Sequence, residues 1–305
     1  MSGTTTSRPE DGSRASDRGD VERARPLPPP VSTRPVRKDE IELVDRGVYI
    51  ESWLPERRSR RRPLLFVHGE LAGSWVWESW LHHFAARGFE GHAVNLRNHF
   101  WSQVAETSTL SFESFTDDVA AAMERLGPSV VAVGHGLGGL LVLKALEREP
   151  AAGVILVSPE LPAPLRRPAL PHEVRDVPDA YGKERIGWAT LIEKLVRDER
   201  DLSVDEVRRI QHLLGQKARE SGRARRQVMA GVPVDPGPAR AIPRLVIGGG
   251  FDRIVPEEEV ERLAVWLDAE YEPFGAASHY GLLLSGSGSP QVAEVVRGFL
   301  EAHRL

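Results

Sequence analysis

No cysteine occurs among the 305 residues. That absence excludes disulfides, thiolate metal sites and a cysteine nucleophile together. No apolar run approaches the roughly 18 residues that suggest a membrane span, and no apolar h-region of a secretory signal is visible at the N-terminus. Cytoplasmic is therefore the default expectation. Excess charge of one sign is lacking as well: the formal net charge is −4, so the chain as a whole does not advertise nucleic-acid binding. Internal repeats are also absent.

What is present begins with a polar tail. Residues 1–38 are rich in Ser, Arg, Asp, Gly and Pro and include Pro26-Leu27-Pro28-Pro29-Pro30. Such a segment cannot bury enough apolar area to offset its ordering entropy, and it is expected to be disordered. Glu40 to Val44 and Gly47 to Trp53 then read as a β-hairpin. The run Arg57-Arg58-Ser59-Arg60-Arg61-Arg62 follows. It has the charge to dock an acidic protein partner, a membrane surface or RNA. Its plain reading is a solvated turn, and no aromatic residues are interleaved to support nucleic acid.

From Leu64 onward strands and helices alternate. Leu64–Val67, Gly91–Leu96, Ser129–Val133, Gly153–Val157, Arg244–Gly249 and Ala269–Pro273 read as strands. Trp75–Arg87, a segment ending near Leu126, Leu137–Leu146, Pro256–Leu267 and Pro290–His303 read as helices. Ser111 or Ser114 is the expected cap of the second, with Ser114 and Asp117 at capping-box spacing. This rhythm predicts an α/β fold: a mainly parallel central sheet with helices on both faces. It breaks between residues 159 and 242, about 80 residues with clustered prolines, too long for an ordinary connection. A helical cap or lid is expected there, with helices over Lys183–Arg197 and from Ser203, boxed by Glu206, to about Glu220. The core then comprises residues 39–158 and 243–305.

Gly134-His135-Gly136-Leu137-Gly138-Gly139 joins a strand to a helix. It has the frame G-x-S-x-G, the sharp turn that exposes a nucleophilic serine, with glycine at the nucleophile position. Gly136 has no side chain and cannot attack. His68-Gly69 follows an earlier strand, Asp252 follows Val246-Ile247-Gly248-Gly249-Gly250-Phe251, and Ser278-His279-Tyr280-Gly281 lies near the end. Four such motifs in this order strongly resemble the α/β-hydrolase superfamily, over nearly everything after residue 39. The resemblance implies a chain order of nucleophile, acid and histidine, here Gly136, Asp252 and His279. It also implies an oxyanion hole built from the backbone N–H groups of Glu70 and Leu137, with Leu71 as an auxiliary donor. Backbone donors survive the loss of the serine.

Three accounts of Gly136 stay open. It relaxes a turn that serine would strain, as in a non-catalytic homologue. Alternatively it makes room for water or a substrate group beside His279. It is also what a deliberate nucleophile deletion would leave, although alanine is the commoner choice. Ser74, Ser158 and Ser278 stand on no elbow and read as turn or capping residues, His135 as structural packing. Glu220 is a minor candidate for a carboxylate contributed from the cap, and Glu257 and Asp268 are weaker acids than Asp252.

Trp75, Trp77 and Trp80 read mainly as core, whereas Phe100 and Trp101 are the better candidates for a substrate pocket under the cap. His82-His83 point about 100° apart on a helix, and no metal or cofactor is expected. Two functions remain. The first is an enzyme acting on a small hydrophobic ester, thioester or lactone by His/Asp general-base catalysis without an acyl-enzyme, or a cofactor-free lyase or cyclase. The second is an inactive homologue that binds a ligand or protein partner.

Overall fold

The computed structural model describes residues 1, 3, 36–57, 60–182, 200–214 and 216–305. Its strands are β1 (Val36–Leu43), β2 (Val48–Pro55), β3 (Leu64–Val67), β4 (Gly91–Asn95), β5 (Val131–His135), β6 (Gly153–Val157), β7 (Ala180–Tyr181), β8 (Glu220–Ser221), β9 (Arg244–Gly249) and β10 (Glu270–Phe274). The helices are α1 (Glu78–Ala85), α2 (Phe112–Leu126), α3 (Leu137–Ala145), α4 (Pro171–Arg175), α5 (Val204–Leu213), α6 (Gly222–Ala230), α7 (Gly237–Arg240), α8 (Glu257–Leu267), α9 (Gly281–Leu284) and α10 (Ser289–Ala302).

Eight strands form one sheet in the order β1-β2-β4-β3-β5-β6-β9-β10. β2 runs antiparallel to both its neighbours, and every other pairing is parallel. The central parallel strands β3, β5 and β6 are apolar at nearly every position because both faces are covered. Leu65, Val67, Ala132 and Leu156 pack on one side with α2, α3 and α8. Leu64, Phe66, Val133 and Ile155 pack on the other with α1 and α10. Trp77 and Trp80 are fully buried in that second layer.

Several boundaries differ from the sequence expectation, each for a non-local reason. β1 begins at Val36, inside the expected tail, because Val36 already pairs with Pro55. β5 is displaced toward the elbow, where His135 pairs with Val157. The capping box of α2 joins Ser111 to Ser114, not Ser114 to Asp117. α5 starts at Ser203 with Glu206 completing its box, as expected, but it stops at Leu213. Glu220 lies instead in β8, which pairs antiparallel with β7. The expected helix over Lys183–Arg197 lies outside the described residues, as do Arg58, Ser59 and most of the tail. Arg61 of the arginine run leans on the Phe89 ring and on Glu301. No helix among the described residues is long and apolar enough to cross a membrane.

α3 lies close against β3. A Cβ on Gly138 would fall 2.3 Å from the Val67 carbonyl oxygen, so only glycine permits this approach. The carboxyl ends of β3, β5, β6, β9 and β10 consequently converge at the start of α3, where ligands of parallel α/β sheets bind.

Candidate active site

Each of those strand ends delivers one element of the site. β5 ends in His135, and Gly136 follows with φ 53° and ψ −122°. Such a backbone is strained for a residue with a side chain and free for glycine. The Gly136 N–H donates to the Val157 carbonyl, and its own carbonyl accepts from the amides of Gly139 and Glu160. The elbow is thus fixed from both sides.

Asp252 follows β9. Its Oδ1 accepts from the amides of Ile254 (2.7 Å) and Val255 (2.9 Å), which lock the turn. Its Oδ2 accepts from His279 Nδ1 (2.7 Å) and from Ser158 Oγ (2.5 Å). Burial alone would raise the Asp252 pKa. The facing His279, the Ser158 hydroxyl and the Val255 amide outweigh it and hold the carboxyl below its usual range. With all four contacts directed at an ionised carboxylate, Asp252 fixes the ring of His279.

The other edge of that ring faces the elbow. A Cβ built on Gly136 would stand 3.3 Å from His279 Nε2 and 3.8 Å from the Gly69 Cα. Acid, histidine, elbow and the loop after β3 therefore meet within one side chain's reach. Leu137 is the first residue of α3, where amides have no partner inside the helix. Asp268, the weaker acid candidate, sits instead at the exposed end of α8, paired with Arg244.

The neighbouring histidines are held neutral. His135 Nε2 donates to the His279 carbonyl (3.1 Å), and its ring lies 4.3 Å from that of His279. Burial and the adjacent His279 push its pKa well below the ordinary value. His68 donates from Nδ1 to the Gly69 carbonyl and accepts at Nε2 from the Leu96 amide. Burial lowers its pKa to about 3. These rings shape the turn and carry no net charge at neutral pH.

The segment between β6 and β9 closes over the loop after β3 with a charged network. Tyr181 donates its hydroxyl to Glu70. Arg225 on α6 bonds Glu160 (2.6 Å) and approaches Glu70 (3.9 Å), and Arg166 also bonds Glu160 (2.5 Å). Burial pushes the Glu70 carboxyl up to about 7, against the opposing charge of Arg225. Burial also acts to raise Glu160, but its two arginines carry it down to about 2.

Four side chains make contacts that the sequence expectations leave out. Glu220 is not aimed at the elbow: its Oε1 accepts from the Leu71 amide (2.5 Å) and His99 Nε2 (2.9 Å). That bond occupies the Leu71 amide, the expected auxiliary donor. Ser158, expected as a turn residue, does occupy a turn with φ 43°, and its hydroxyl also holds the acid. Trp101 lies at the surface, 63% exposed, with Lys217 Nζ 4.1 Å from its ring centroid. Phe100 packs on Gly73, where a Cβ would meet its ring at 2.3 Å, and lines a cavity of about 620 Å³ with Ala180, Lys217 and Arg219 of the inserted segment. Ser74 bonds Glu51 and Asn95, and Ser278 caps the Gly281 amide. Among the described residues no group of three or more His, Asp or Glu side chains could hold a metal ion.

Residues 64–295 match the model of the Alpha/beta hydrolase family. The chain belongs to that family. AB hydrolase superfamily protein YisY of Bacillus subtilis (strain 168) is 28% identical over 118 residues, which are 37% of this chain and 44% of that protein. This chain thus spans less than half the length of that curated relative.

Solved structures of the same fold cover far more of this alpha/beta hydrolase. A thermophilic esterase from Thermogutta terrifontis is 21% identical with a TM-score of 0.65, covering 88% of this chain and 100% of its own. A bromoperoxidase from Bacillus anthracis reaches a TM-score of 0.67 at 16% identity, covering 87% and 100%. The monoacylglycerol lipase of Paleococcus ferrophilus reaches 0.63 at 22%, covering 84% and 99%. Neighbours with three differently described activities establish the fold and leave the reaction to the site.

Proposed function

We propose that this alpha/beta hydrolase cleaves a small hydrophobic ester, thioester or lactone by general-base catalysis, without a covalent acyl-enzyme. The observation that carries the reading is the placement of His279: Nδ1 on the Asp252 carboxylate at 2.7 Å, and Nε2 3.3 Å from where a Gly136 side chain would begin. An imidazole oriented in this way takes a proton from water at Nε2. The water oxygen adds to the substrate carbonyl, and the Glu70 and Leu137 amides receive the developing oxyanion. Collapse breaks the acyl bond, and His279 returns the proton to the departing alkoxide or thiolate. Gly136 occupies the nucleophile position of the elbow, and residues 159–242 serve as the lid over the substrate.

The test is turnover of a panel of activated esters, thioesters and lactones. The wild type is expected to resist fluorophosphonate labelling and still form product, with loss of about 10³-fold or more in His279→Ala. Equal rates for wild type and His279→Ala across the panel would overturn the proposal. Gly136 itself favours a second reading, a ligand-binding homologue without turnover. That reading expects ligand-dependent thermal stabilisation alone, and a product that disappears in Asp252→Ala excludes it.

A further inference from the structure

The Leu71 amide is gripped by a residue 149 positions away in the chain. Leu71 belongs to the loop after His68-Gly69, is fully buried, and holds a left-handed φ of 57°. For a leucine that conformation costs on the order of 1–3 kcal/mol and persists only where surrounding contacts fix it. Glu220 Oε1 supplies such a contact at 2.5 Å. The same oxygen receives His99 Nε2 at 2.9 Å, and His99 Nδ1 lies 3.0 Å from the Arg97 carbonyl. A carbonyl only accepts, so Nδ1 donates there, and the Glu220 carboxyl, held below its usual range against burial by the facing His99, is the acceptor for Nε2, which favours the imidazolium. Burial opposes that charge, but Glu220 outweighs it and raises the His99 pKa. His68 and Asp118 also face this ring, His68 held neutral by burial. Carboxylate and imidazolium are both almost wholly buried.

The segment that carries Glu220 is stitched to the core on both sides of this pair. The Phe100 amide donates to the Lys217 carbonyl (2.7 Å), the Arg219 amide to the Asn98 carbonyl (3.1 Å), and Ser221 Oγ to the Leu110 carbonyl (2.5 Å). Tyr181, opposite Glu220 in the two-stranded ribbon, bonds the Glu70 side chain. The loop is therefore held at consecutive residues, by its side chain at Glu70 and by its backbone at Leu71. It is also the loop whose Gly69 Cα lies 3.8 Å from the Cβ position of Gly136.

We infer that Glu220 is a positioning residue for hydrolysis: by binding the Leu71 amide from the inserted segment, it sets the 69–72 loop so that the Glu70 amide is presented to the elbow. The inference rests on the hydrolytic reading of the site. It makes this part of the insertion a fixed wall of the oxyanion hole rather than a free flap.

The experiment pairs amide hydrogen exchange with kinetics. Exchange of the Leu71 amide is followed in wild type, Glu220→Gln, Glu220→Ala and the double variant Glu220→Ala with His99→Ala, which avoids stranding a buried imidazolium. Rates on p-nitrophenyl acetate are read with each of the three substitutions placed in a Gly136→Ser background. Both alanine variants are expected to speed Leu71 exchange about tenfold or more while the α3 amides keep their protection. In the kinetic arm kcat is expected to fall about 10- to 100-fold with KM within about twofold. Glu220→Gln, which retains an acceptor oxygen, recovers most of both. Unchanged Leu71 exchange in the double variant overturns the inference, as does a freed loop with unchanged kcat. If Gly136→Ser shows no turnover, the catalytic part of the inference fails, whereas the hydrolytic reading is decided separately by wild type against His279→Ala. The exchange result then still decides whether Glu220 holds the loop.

Discussion

Gly136 and His279 stand as a nucleophile and its base would, except that glycine supplies no nucleophile: the Cβ position of Gly136 is 3.3 Å from His279 Nε2. Restoring a hydroxyl is therefore expected to restore covalent chemistry. Gly136→Ser should hydrolyse p-nitrophenyl acetate about 100-fold or more faster than wild type and take up a fluorophosphonate label that wild type refuses. The elbow conformation, free for glycine, costs a serine about 1–3 kcal/mol, so its thermal midpoint should fall. Labelling without faster hydrolysis would place the defect in the oxyanion hole rather than in the base.

Ser158 is the second donor to the oxygen of Asp252 that holds His279. Ser158→Ala removes a charge-assisted bond, worth about 1.5–3 kcal/mol, without touching the ring. The folded pKa of Asp252 lies below its ordinary value, so its contribution to stability is present above that value and is lost as pH falls through the folded pKa. Without Ser158 the folded pKa rises and this acid loss begins at higher pH. Urea unfolding at pH 7 and pH 4 should show a less stable variant at pH 7, with a smaller deficit at pH 4. A deficit independent of pH would assign Ser158 to packing alone.

How far the site was legible follows the distance over which each contact acts. Gly136, Asp252 and His279 each follow a strand, and strand, turn and small residues are written within a dozen neighbouring positions. The parallel sheet was legible for the same reason: its strands are short apolar runs between helical patterns. Ser158 and Glu220 carry no such signature, because their partners are 94 and 149 residues away. Ser203 and Glu206 open a helix convincingly, and local pattern alone carries it on to about Glu220. What ends that helix at Leu213 is pairing of the following residues with the 98–100 loop and β7, which local periodicity does not express. Trp101 reads as a pocket residue from its place in the Asn98-His99-Phe100-Trp101 loop, and a large aromatic there does not announce which way it faces.

Glu70 is a buried carboxyl whose pKa is raised by burial to about 7 from an ordinary 4.5. The folded chain binds this proton more tightly than the unfolded chain does. The contribution to stability is thus complete below pH 4.5 and is lost as pH rises through about 7. Glu70→Gln removes the titration while keeping an acceptor for Tyr181. The difference in thermal midpoint, variant minus wild type, should therefore be more positive at pH 8 than at pH 5, by the equivalent of roughly 2–3 kcal/mol. A difference that stays flat across this range would show that Arg225 keeps Glu70 ionised throughout.

Arg225 joins Glu160, whose amide holds the Gly136 carbonyl from the turn after β6, to the loop after β3, bonding Glu160 at 2.6 Å and lying 3.9 Å from Glu70. Arg225→Met retains most of the side-chain volume but leaves both carboxylates without their shared cation. Glu160 keeps Arg166, whereas Glu70 has no equivalent replacement in this network. Removing one member of a buried pair typically costs about 3–5 kcal/mol, because the remaining charge is stranded. Arg225→Met should show a loss of that size in urea unfolding at pH 8 and less at pH 5, where Glu70 can take up a proton. Adding Glu70→Gln to Arg225→Met should recover part of the loss at pH 8. If the double variant is no more stable than Arg225→Met, the cost lies at Glu160, and the link from the elbow to the oxyanion loop runs through the backbone bond between Glu160 and Gly136.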